Sequence, residues 1–445
     1  MAERPVRLTV PDDLQRSRLT IFFRLLLAIP HLVWVSLWGI AAAFVSFANW
    51  LAVVINAEVP SSLHNFVAGY LRYATHVGAY LFLAAGPYPG FRGRPGYAVD
   101  LEIEPPERQG RWGGFFRLVL ALPALLLATV LGGSLSFGSA ANLVTYGLAT
   151  FGGVTAVAAF LAWFFGLILG RAPRGLRDLT AYSLGYGAQA AGYYLLLTPR
   201  YPSSDPALAE PYAKLPEHPV RLVVEDDLQR SRLTVLFRLL LAIPHLVWLL
   251  LWGIAAYLAV IAAWFVALVI GHVPSALHRF IAAYIRYVTH VYAFVYLVGQ
   301  KFPGFTGRAG SYGIDVEIAP PEPQRRLVTL FRFFLAFPAF FVASVLSYVL
   351  LLVAVFAWFY GLVRGRMPEG LRNIGASCLR YMAQTYAYLF LLTERYPYAA
   401  PVLRDRVEPG PLPRLLLPVP PTPGPMPAPA RPPTPPAEPA SGDTA

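Results

Sequence analysis

The stretch Arg16–Trp34 reads RSRLTIFFRLLLAIPHLVW, and it returns at Arg230–Trp248 as RSRLTVLFRLLLAIPHLVW, with 17 of 19 positions identical. Each copy joins several arginines to an apolar segment that contains one proline. The match extends from Pro5–Gly90 to Pro219–Gly304 at a constant offset of 214 positions. Such self-similarity at a fixed spacing indicates an internal duplication.

A second kind of repeat unit lies between the copies. Residues 111–202 match residues 326–397, so that FFRLVLALPALLL is followed later by LFRFFLAFPAFFV. Arg117 and Pro123 of this unit correspond to Arg24 and Pro30 of the first. The chain therefore divides into four versions of one module, A1, B1, A2 and B2, followed by a tail. Their ranges are 1–110, 111–213, 214–325, 326–400 and 401–445.

The composition is that of a membrane protein. Hydrophobic residues make up 56% of the chain and charged residues only 13%, about half the usual share of roughly 25% in soluble domains. Each module begins with an uncharged run, and the four runs are Leu25–Ala57, Leu118–Gly170, Leu239–Gly271 and Phe333–Val363. The sequence thus predicts a mostly α-helical, polytopic integral membrane protein.

The length of these runs predicts two crossings each. A straight helix of the 33 residues in the first run would be about 50 Å long, whereas the hydrocarbon core is about 30 Å thick. The run in B1 is longer by a Gly- and Ser-rich stretch at about 132–153, which reads as a loop at a hairpin tip. We therefore expect a membrane hairpin in every module and eight crossings in total. If a third segment of each module also crosses, the number becomes twelve.

The net charge of +12 comes mainly from arginines at the ends of the apolar runs. This position favours attraction to anionic lipid headgroups and argues against a nucleic-acid partner. Both ends of each run are basic, which places them on the cytoplasmic side of the cell membrane. Both chain termini are expected in the cytoplasm for the same reason.

The third segment of each module carries a polar stripe on an apolar helix. Arg72 and His76 are four residues apart, and Arg286 and His290 repeat the pair. Such a helix suits the membrane interface, where its arginines reach lipid headgroups, although a bound anionic ligand is an alternative. The candidate headgroup contacts are Arg24, Arg72, His76, Arg238, Arg286, His290 and Arg380. The candidate helix kinks are Pro30, Pro123, Pro244 and Pro338.

Other polar residues are expected to serve the fold. The paired carboxylates Asp12-Asp13 and Asp226-Asp227 precede helices and are predicted to cap them. His31 and His245 follow the prolines and are expected to have structural roles. Between modules, the alternating stretches VRLTV, YAVDLEIE and IDVEIA predict short β-strands.

The repeated elements resemble a bacterial membrane-protein family, domain of unknown function 4389. They are LLLAIPH, the turns GRAPRGLRDL and GRMPEGLRNI, and the endings LLTPRYP and LLTERYP. The resemblance covers all four modules but not the tail. It implies an integral membrane protein, and it brings no activity, substrate or catalytic residues.

No catalytic motif supports an enzyme, because HExxH, GxxxxGK[ST], GxSxG and GxGxxG are all absent from the sequence. The lone Cys378 excludes an intrachain disulfide. We expect no cofactor, no metal and no catalytic residue. The expected function is a non-catalytic membrane scaffold that binds lipids, with a disordered Pro-rich tail (401–445) for a protein partner. The alternative is a transporter or channel built from internal repeats.

Overall fold

The computed structural model describes residues 5–10, 14–132, 153–206 and 218–401. Most of the predicted tip insertion and all of the tail after Pro401 lie outside these residues. The helices are α1 (Arg18–Asn56), α2 (Ser61–Leu81), α3 (Arg111–Phe115), α4 (Arg117–Gly132), α5 (Val154–Leu169), α6 (Arg174–Tyr194), α7 (Arg232–Ile270), α8 (Ser275–Val295), α9 (Arg326–Arg364) and α10 (Glu369–Leu389). The strands are β1 (Val6–Thr9), β2 (Asp100–Ile103), β3 (Val220–Val224) and β4 (Ile314–Ile318).

The apolar runs of A1, A2 and B2 each form one helix of 39 residues, namely α1, α7 and α9. All three are long and apolar enough to span a membrane. The two limbs and central turn that we predicted for these runs are therefore replaced by one continuous helix. The physical reason is that the runs consist mainly of Leu, Ala, Val and aromatic residues, with no cluster of turn-forming residues at the centre. In B1, the corresponding run contains two helices, α4 and α5, on either side of residues 133–152.

The long helix α7 packs beside the short helix α8 of the same module. It would be about 58 Å long if straight, while the 21 residues of α8 span only about 31 Å. Arg230, just before α7, donates to the carbonyl groups of Leu297 and Val298, just after α8. At the other end, only four residues separate α7 from α8. Between these ends, His245 lies 2.8 Å from the Tyr287 hydroxyl and Trp252 packs on Tyr284, so α7 also contacts the middle of α8.

The four helices of 21 residues, α2, α6, α8 and α10, form the middle layer. Each begins directly after a proline, at Pro60, Pro173, Pro274 and Pro368. These helices contact the long helices and also the strands. In α6, 17 of the 21 residues are buried. α6 therefore lies inside the protein rather than flat on a lipid surface as we expected.

Two antiparallel strand pairs cover the middle layer. β1 pairs with β2, with Val6 opposite Ile103, and β3 pairs with β4, with Val220 opposite Ile318. The predicted short strands between modules are confirmed. Val6, Leu101, Ile314 and Val316 point into the core, which explains the alternating pattern of their strands.

The modules follow each other in space as A1, B1, B2 and A2. α1 contacts α5, α9 contacts both α4 and α5, and α7 contacts α9. The pair α7–α9 is antiparallel, because Trp264 near the end of α7 donates to the Thr329 carbonyl near the start of α9. The two B modules thus meet at the centre, and the A modules lie at the outside.

Candidate functional site

One buried arginine recurs in every module, and we take its surroundings as the candidate site. These residues are Arg24, Arg117, Arg238 and Arg332, and none is more than 4% exposed. Each guanidinium lies over an aromatic ring near the end of the short helix of its own module. The distances to the ring centroids are 4.3 Å for Tyr80, 4.1 Å for Tyr193, 4.5 Å for Phe294 and 4.9 Å for Tyr388. Cation–π attraction therefore fixes the same contact four times.

The same arginines donate to backbone carbonyls at the end of the short helix. Arg332 Nη1 donates to Tyr388 O (2.7 Å) and Thr393 O (2.9 Å). Arg238 Nη1 donates to Phe294 O (2.6 Å) and Gly299 O (3.0 Å). The carbonyls of a helix C-terminus carry partial negative charge, which a guanidinium stabilises. Arg24 and Arg238, which we predicted as headgroup contacts, thus hold a long helix to a short one.

A glutamine completes the arginine's surroundings in three modules. Gln109 Oε1 accepts from Arg117 (2.5 Å), and Gln324 Oε1 accepts from Arg332 (3.0 Å). In A2, Gln300 Oε1 accepts from Arg238 Nη2 at 3.2 Å. The position of Gln300 is occupied in A1 by Gly86, at the offset of 214. The Arg24 site therefore lacks the amide that its equivalent has.

The predicted stripe on α2 and α8 is anchored by an aspartate on the neighbouring strand. His76 Nε2 lies 2.9 Å from Asp100 Oδ1, and His290 Nε2 lies 2.7 Å from Asp315 Oδ1. Arg72 and Arg286 donate to the Leu101 and Val316 carbonyls instead of pointing away from the protein. The stripe that we assigned to lipid headgroups thus binds the two strand pairs to α2 and α8.

Burial governs the protonation of these pairs. It lowers the pKa of His76, and Asp100 opposes that shift only in part. Burial alone would raise the pKa of Asp100, but N–H groups of Gly96 and Leu101 and the His76 ring hold it below its ordinary value. The same balance, with His290 and Gly310 as donors, lowers the pKa of Asp315. In the A1 pair, Asp100 as a carboxylate beside a neutral His76 is therefore the stable state at neutral pH.

The remaining predicted site residues are also internal. Arg380, on α10, is 7% exposed and donates to the carbonyls of Tyr398 and Ala400. Pro30, Pro123, Pro244 and Pro338 lie within α1, α4, α7 and α9, and each helix continues past its proline.

His31 and His245 have the surroundings of core residues. Each ring approaches a tyrosine hydroxyl, at 2.7 Å for Tyr73 and 2.8 Å for Tyr287. Each also stacks on a phenylalanine, Phe91 or Phe305. The histidine–tyrosine and histidine–phenylalanine contacts therefore recur in both A modules, as we expect of residues with a structural role.

The predicted aspartate cap of α7 is wrong. Ser231, not an aspartate, is the N-cap of α7, and its hydroxyl accepts from Thr234 N. Asp226 instead forms an ion pair with Arg230 at 2.8 Å, and Asp227 accepts from Gln229 N. Asp12 and Asp13 lie outside the described residues. Across the described part of the chain, no group of three His, Cys, Asp or Glu side chains has a geometry that could hold a metal ion.

Sequence reasoning missed the partners of the predicted residues. Asp100, Asp315, Gln109 and Gln324 all recur at equivalent places in the repeats. Comparing the modules for shared polar residues, and not only for shared arginines, would have identified them.

The comparisons with known proteins agree with the repeat. A family described as "Domain of unknown function (DUF4389)" matches residues 18–92, 143–204, 232–306 and 326–400, more than half of the chain. The chain therefore belongs to this family. No curated protein and no solved structure gives a match.

Proposed function

We propose that this member of the DUF4389 family is a non-catalytic scaffold or interaction protein of the bacterial inner membrane. Its long helices lie in the bilayer, its exposed arginines contact anionic headgroups, and its strand pairs face the cytoplasm. The Pro-rich tail offers a docking segment for a protein partner.

The apolar surface of the long helices carries this proposal. Leu25 and Leu239, at equivalent positions in A1 and A2, are 75% and 73% exposed. Large apolar side chains are exposed along much of α1, α7 and α9, for example Phe44, Leu250 and Phe334. Soluble monomers rarely present contiguous apolar patches of such extent. Lipid tails are the partner that fits a surface of this size on helices of this length.

We assign the headgroup contacts to exposed arginines at the helix ends and no longer to the buried arginines. Arg18, Arg232 and Arg326 each begin a long helix and donate to a carbonyl at the end of a neighbouring one: Ile168 O, Val363 O and Val269 O. Arg171 and Arg366, equivalent residues of the two B modules, are exposed just after α5 and α9. Their cationic groups therefore mark the boundary of the apolar layer.

The positions of the two ends of α7 beside α8 support entry and exit on one side. Arg230, just before α7, donates to carbonyls just after α8, and only four residues join the other end of α7 to α8. Exposed cationic residues stand at both ends. We propose that each long helix enters from the cytoplasmic face and returns to it. The sidedness that motivated the hairpin prediction is thus kept, without a turn between two limbs.

A charge-matched pair of double variants tests the headgroup contact. Arg171→Gln with Arg366→Gln removes two charges at the apolar boundary. Arg7→Gln with Arg221→Gln removes two charges from the strands, where the arginines pair with Glu102 and Glu317. We expect the first pair to weaken flotation with phosphatidylglycerol vesicles more than with phosphatidylcholine vesicles. Equal effects of the two pairs would contradict the proposal.

Solute flux separates a scaffold from the transporter alternative. Purified protein in liposomes should give no more efflux of ions or small fluorescent solutes than empty liposomes. Flux that depends on the protein would overturn the scaffold assignment.

A further inference from the structure

We propose that a pocket between α8 and α10 binds the ring of a membrane-soluble quinone. The pocket has a volume of about 150 Å³ and lies where the short helices of A2 and B2 pack together. A cavity of about 150 Å³ in a protein core is large enough to bind benzene, whereas pockets for drug-sized ligands have about 300–1,000 Å³. The pocket therefore has room for a single six-membered ring.

Three tyrosines supply the hydrogen-bonding groups of this pocket. Nine of its ten lining residues lie within α8 and α10, where the backbone groups bond to each other along the helix. The Thr289 hydroxyl donates to Ile285 O and is thereby used. Tyr284, Tyr292 and Tyr386 remain, and no other described residue donates to or accepts from their hydroxyls. The described lining thus offers three phenol groups and no charged side chain.

These tyrosines are neutral hydrogen-bond donors at neutral pH. Burial raises the pKa of Tyr284 and of Tyr386, and the nearby Tyr292 raises both further. This mutual influence also shows that the three side chains lie close together. A phenol donates to a carbonyl oxygen, and aromatic walls favour a planar ring. A 1,4-benzoquinone is a neutral, planar ring with two carbonyl acceptors, so its chemistry matches that of the pocket.

Two long helices lie beside the pocket. Tyr284 packs against Trp252 of α7, with ring centroids 5.9 Å apart, and Tyr386 packs against Phe340 of α9, at 6.0 Å. Tyr386 is 39% exposed, so the pocket has an accessible rim. A quinone dissolved in the bilayer reaches the rim along these helices and leaves its isoprenoid tail in the apolar layer. This route rests on the membrane insertion proposed above, whereas binding by the purified protein does not.

The first half of the chain lacks two of the three tyrosines. At the offset of 214, Gly78 takes the place of Tyr292. At the offset of 195 that relates the short helices of the two B modules, Ala191 takes the place of Tyr386. Tyr70 alone is kept, as the equivalent of the third tyrosine. We therefore expect the quinone site only in the half formed by A2 and B2, and Tyr70 provides a control outside it.

Binding of decylplastoquinone is compared with that of decylbenzene, which has a ring and the same tail but no carbonyl group. Purified protein in detergent is equilibrated with each radiolabelled ligand by dialysis, and protein-free micelles give the background. Tyr292→Phe with Tyr386→Phe removes two hydroxyls and keeps both rings, and Tyr70→Phe is the matched control. We expect one quinone per chain, a loss of affinity of at least about tenfold in the double variant, and a change of less than about twofold in Tyr70→Phe.

A second variant fills the pocket without removing a hydroxyl. Val288, which lines the pocket, is replaced by phenylalanine, and Val288→Phe should also weaken quinone binding at least about tenfold. Thermal unfolding in detergent checks that both variants are folded. Equal binding of the two ligands by the wild-type protein would overturn the quinone site. Unchanged quinone binding in the double variant or in Val288→Phe would do the same, as would an equal loss in Tyr70→Phe.

The proposed function fails on different measurements. It predicts a preference for anionic vesicles and no solute flux, and neither experiment contains a quinone. Saturable quinone binding in detergent would stand if that vesicle preference were absent. Conversely, the vesicle preference would stand if the protein bound no quinone, so the two failures can be told apart.

Discussion

The hydroxyl of Tyr398 donates to Asp178 Oδ2 at 3.1 Å, across 220 residues of sequence. A second contact joins the same two modules with their roles exchanged: Asn373 Nδ2, on the short helix of B2, donates to Asp205 Oδ1 of B1 at 2.8 Å. Asp178 and Asn373 occupy equivalent places near the starts of α6 and α10. Each B module therefore binds the segment that follows the short helix of the other, and the central interface has approximate twofold character.

This reciprocal contact predicts a charge-specific loss of stability. Asn373→Asp would set a second carboxylate against Asp205 in a buried place, and we expect a loss of about 2 kcal/mol in unfolding free energy at pH 7.5. Asn373→Ser, which removes the amide without adding charge, should cost about 1 kcal/mol. Thermal unfolding in detergent measures both. The deficit of Asn373→Asp should shrink at pH 4, where one carboxyl takes up a proton, and a deficit independent of pH would contradict the argument.

The helix ends predict a stabilising substitution. The residues that cap the C-terminal ends of α5, α7 and α9 are Gly170, Gly271 and Gly365, all with φ in the left-handed region. The cap of α1 has the same backbone conformation, with φ 60°, but is an alanine, Ala57. Glycine adopts this conformation without the steric cost that alanine has. Ala57→Gly should therefore raise the unfolding free energy by about 0.5–1 kcal/mol.

Gly271→Ala is the converse control for this prediction. An added Cβ at Gly271 meets nothing closer than Gln324 O at 3.9 Å, so the backbone conformation alone is tested. We expect a loss of about 1 kcal/mol. Stabilisation by both substitutions would show that φ at these ends does not control stability.

The sequence was sufficient to predict the repeated modules and their local secondary structure. It was insufficient to predict contacts between residues that are far apart in the chain. The offset of 214 locates the modules, and alternation in VRLTV locates a strand. The position of Arg24 beside an apolar run suggested a headgroup contact, because the sequence does not show that Tyr80 and the end of α2 cover it. The continuous α7 was missed for a related reason: run length alone does not distinguish one long helix from two shorter limbs.

His218 predicts a loss of stability in acid. Burial, with repulsion from Arg380 and Arg395, lowers the pKa of its ring to about 4, and Nδ1 lies 3.0 Å from Val220 N at the start of β3. Between pH 6.5 and about 4 the unfolded chain binds a proton that the folded protein does not, so stability falls as pH falls through this range. Since the ring is only partly buried, we expect about 1–2 kcal/mol.

His218→Gln isolates this contribution, because glutamine can accept from Val220 N and does not titrate. Unfolding temperatures at fixed ionic strength should decline less steeply from pH 6.5 to 4 in the variant than in the wild type. Parallel curves would show that His218 has no part in the acid response. Other histidines remain in both proteins and cancel in the comparison.

The single cysteine should be unreactive in the folded protein. Cys378 is 1% exposed, and burial raises the pKa of its thiol to about 12. The thiolate is the reactive form, so both access and ionisation oppose modification. Maleimide labelling at pH 7.5 should be slow in mild detergent and complete in dodecyl sulfate. A cysteine at exposed Ser61 in a Cys378→Ser background is the positive control, and rapid labelling of native Cys378 would contradict its burial.

That background also tests whether α7 returns to the side from which it enters. Gln229, before the helix, and His272, after it, are both exposed. If α7 enters and leaves on the cytoplasmic face, cysteines at the two positions should resist impermeant maleimide in intact cells and react once the cells are opened. A periplasmic protein with a surface cysteine confirms that the reagent reaches the outer side. A straight transmembrane span would separate the two positions, and the cysteine at 272 would then react from outside while the one at 229 would not. That result would overturn the one-sided topology but not the proposal that the apolar surface of α7 contacts lipid.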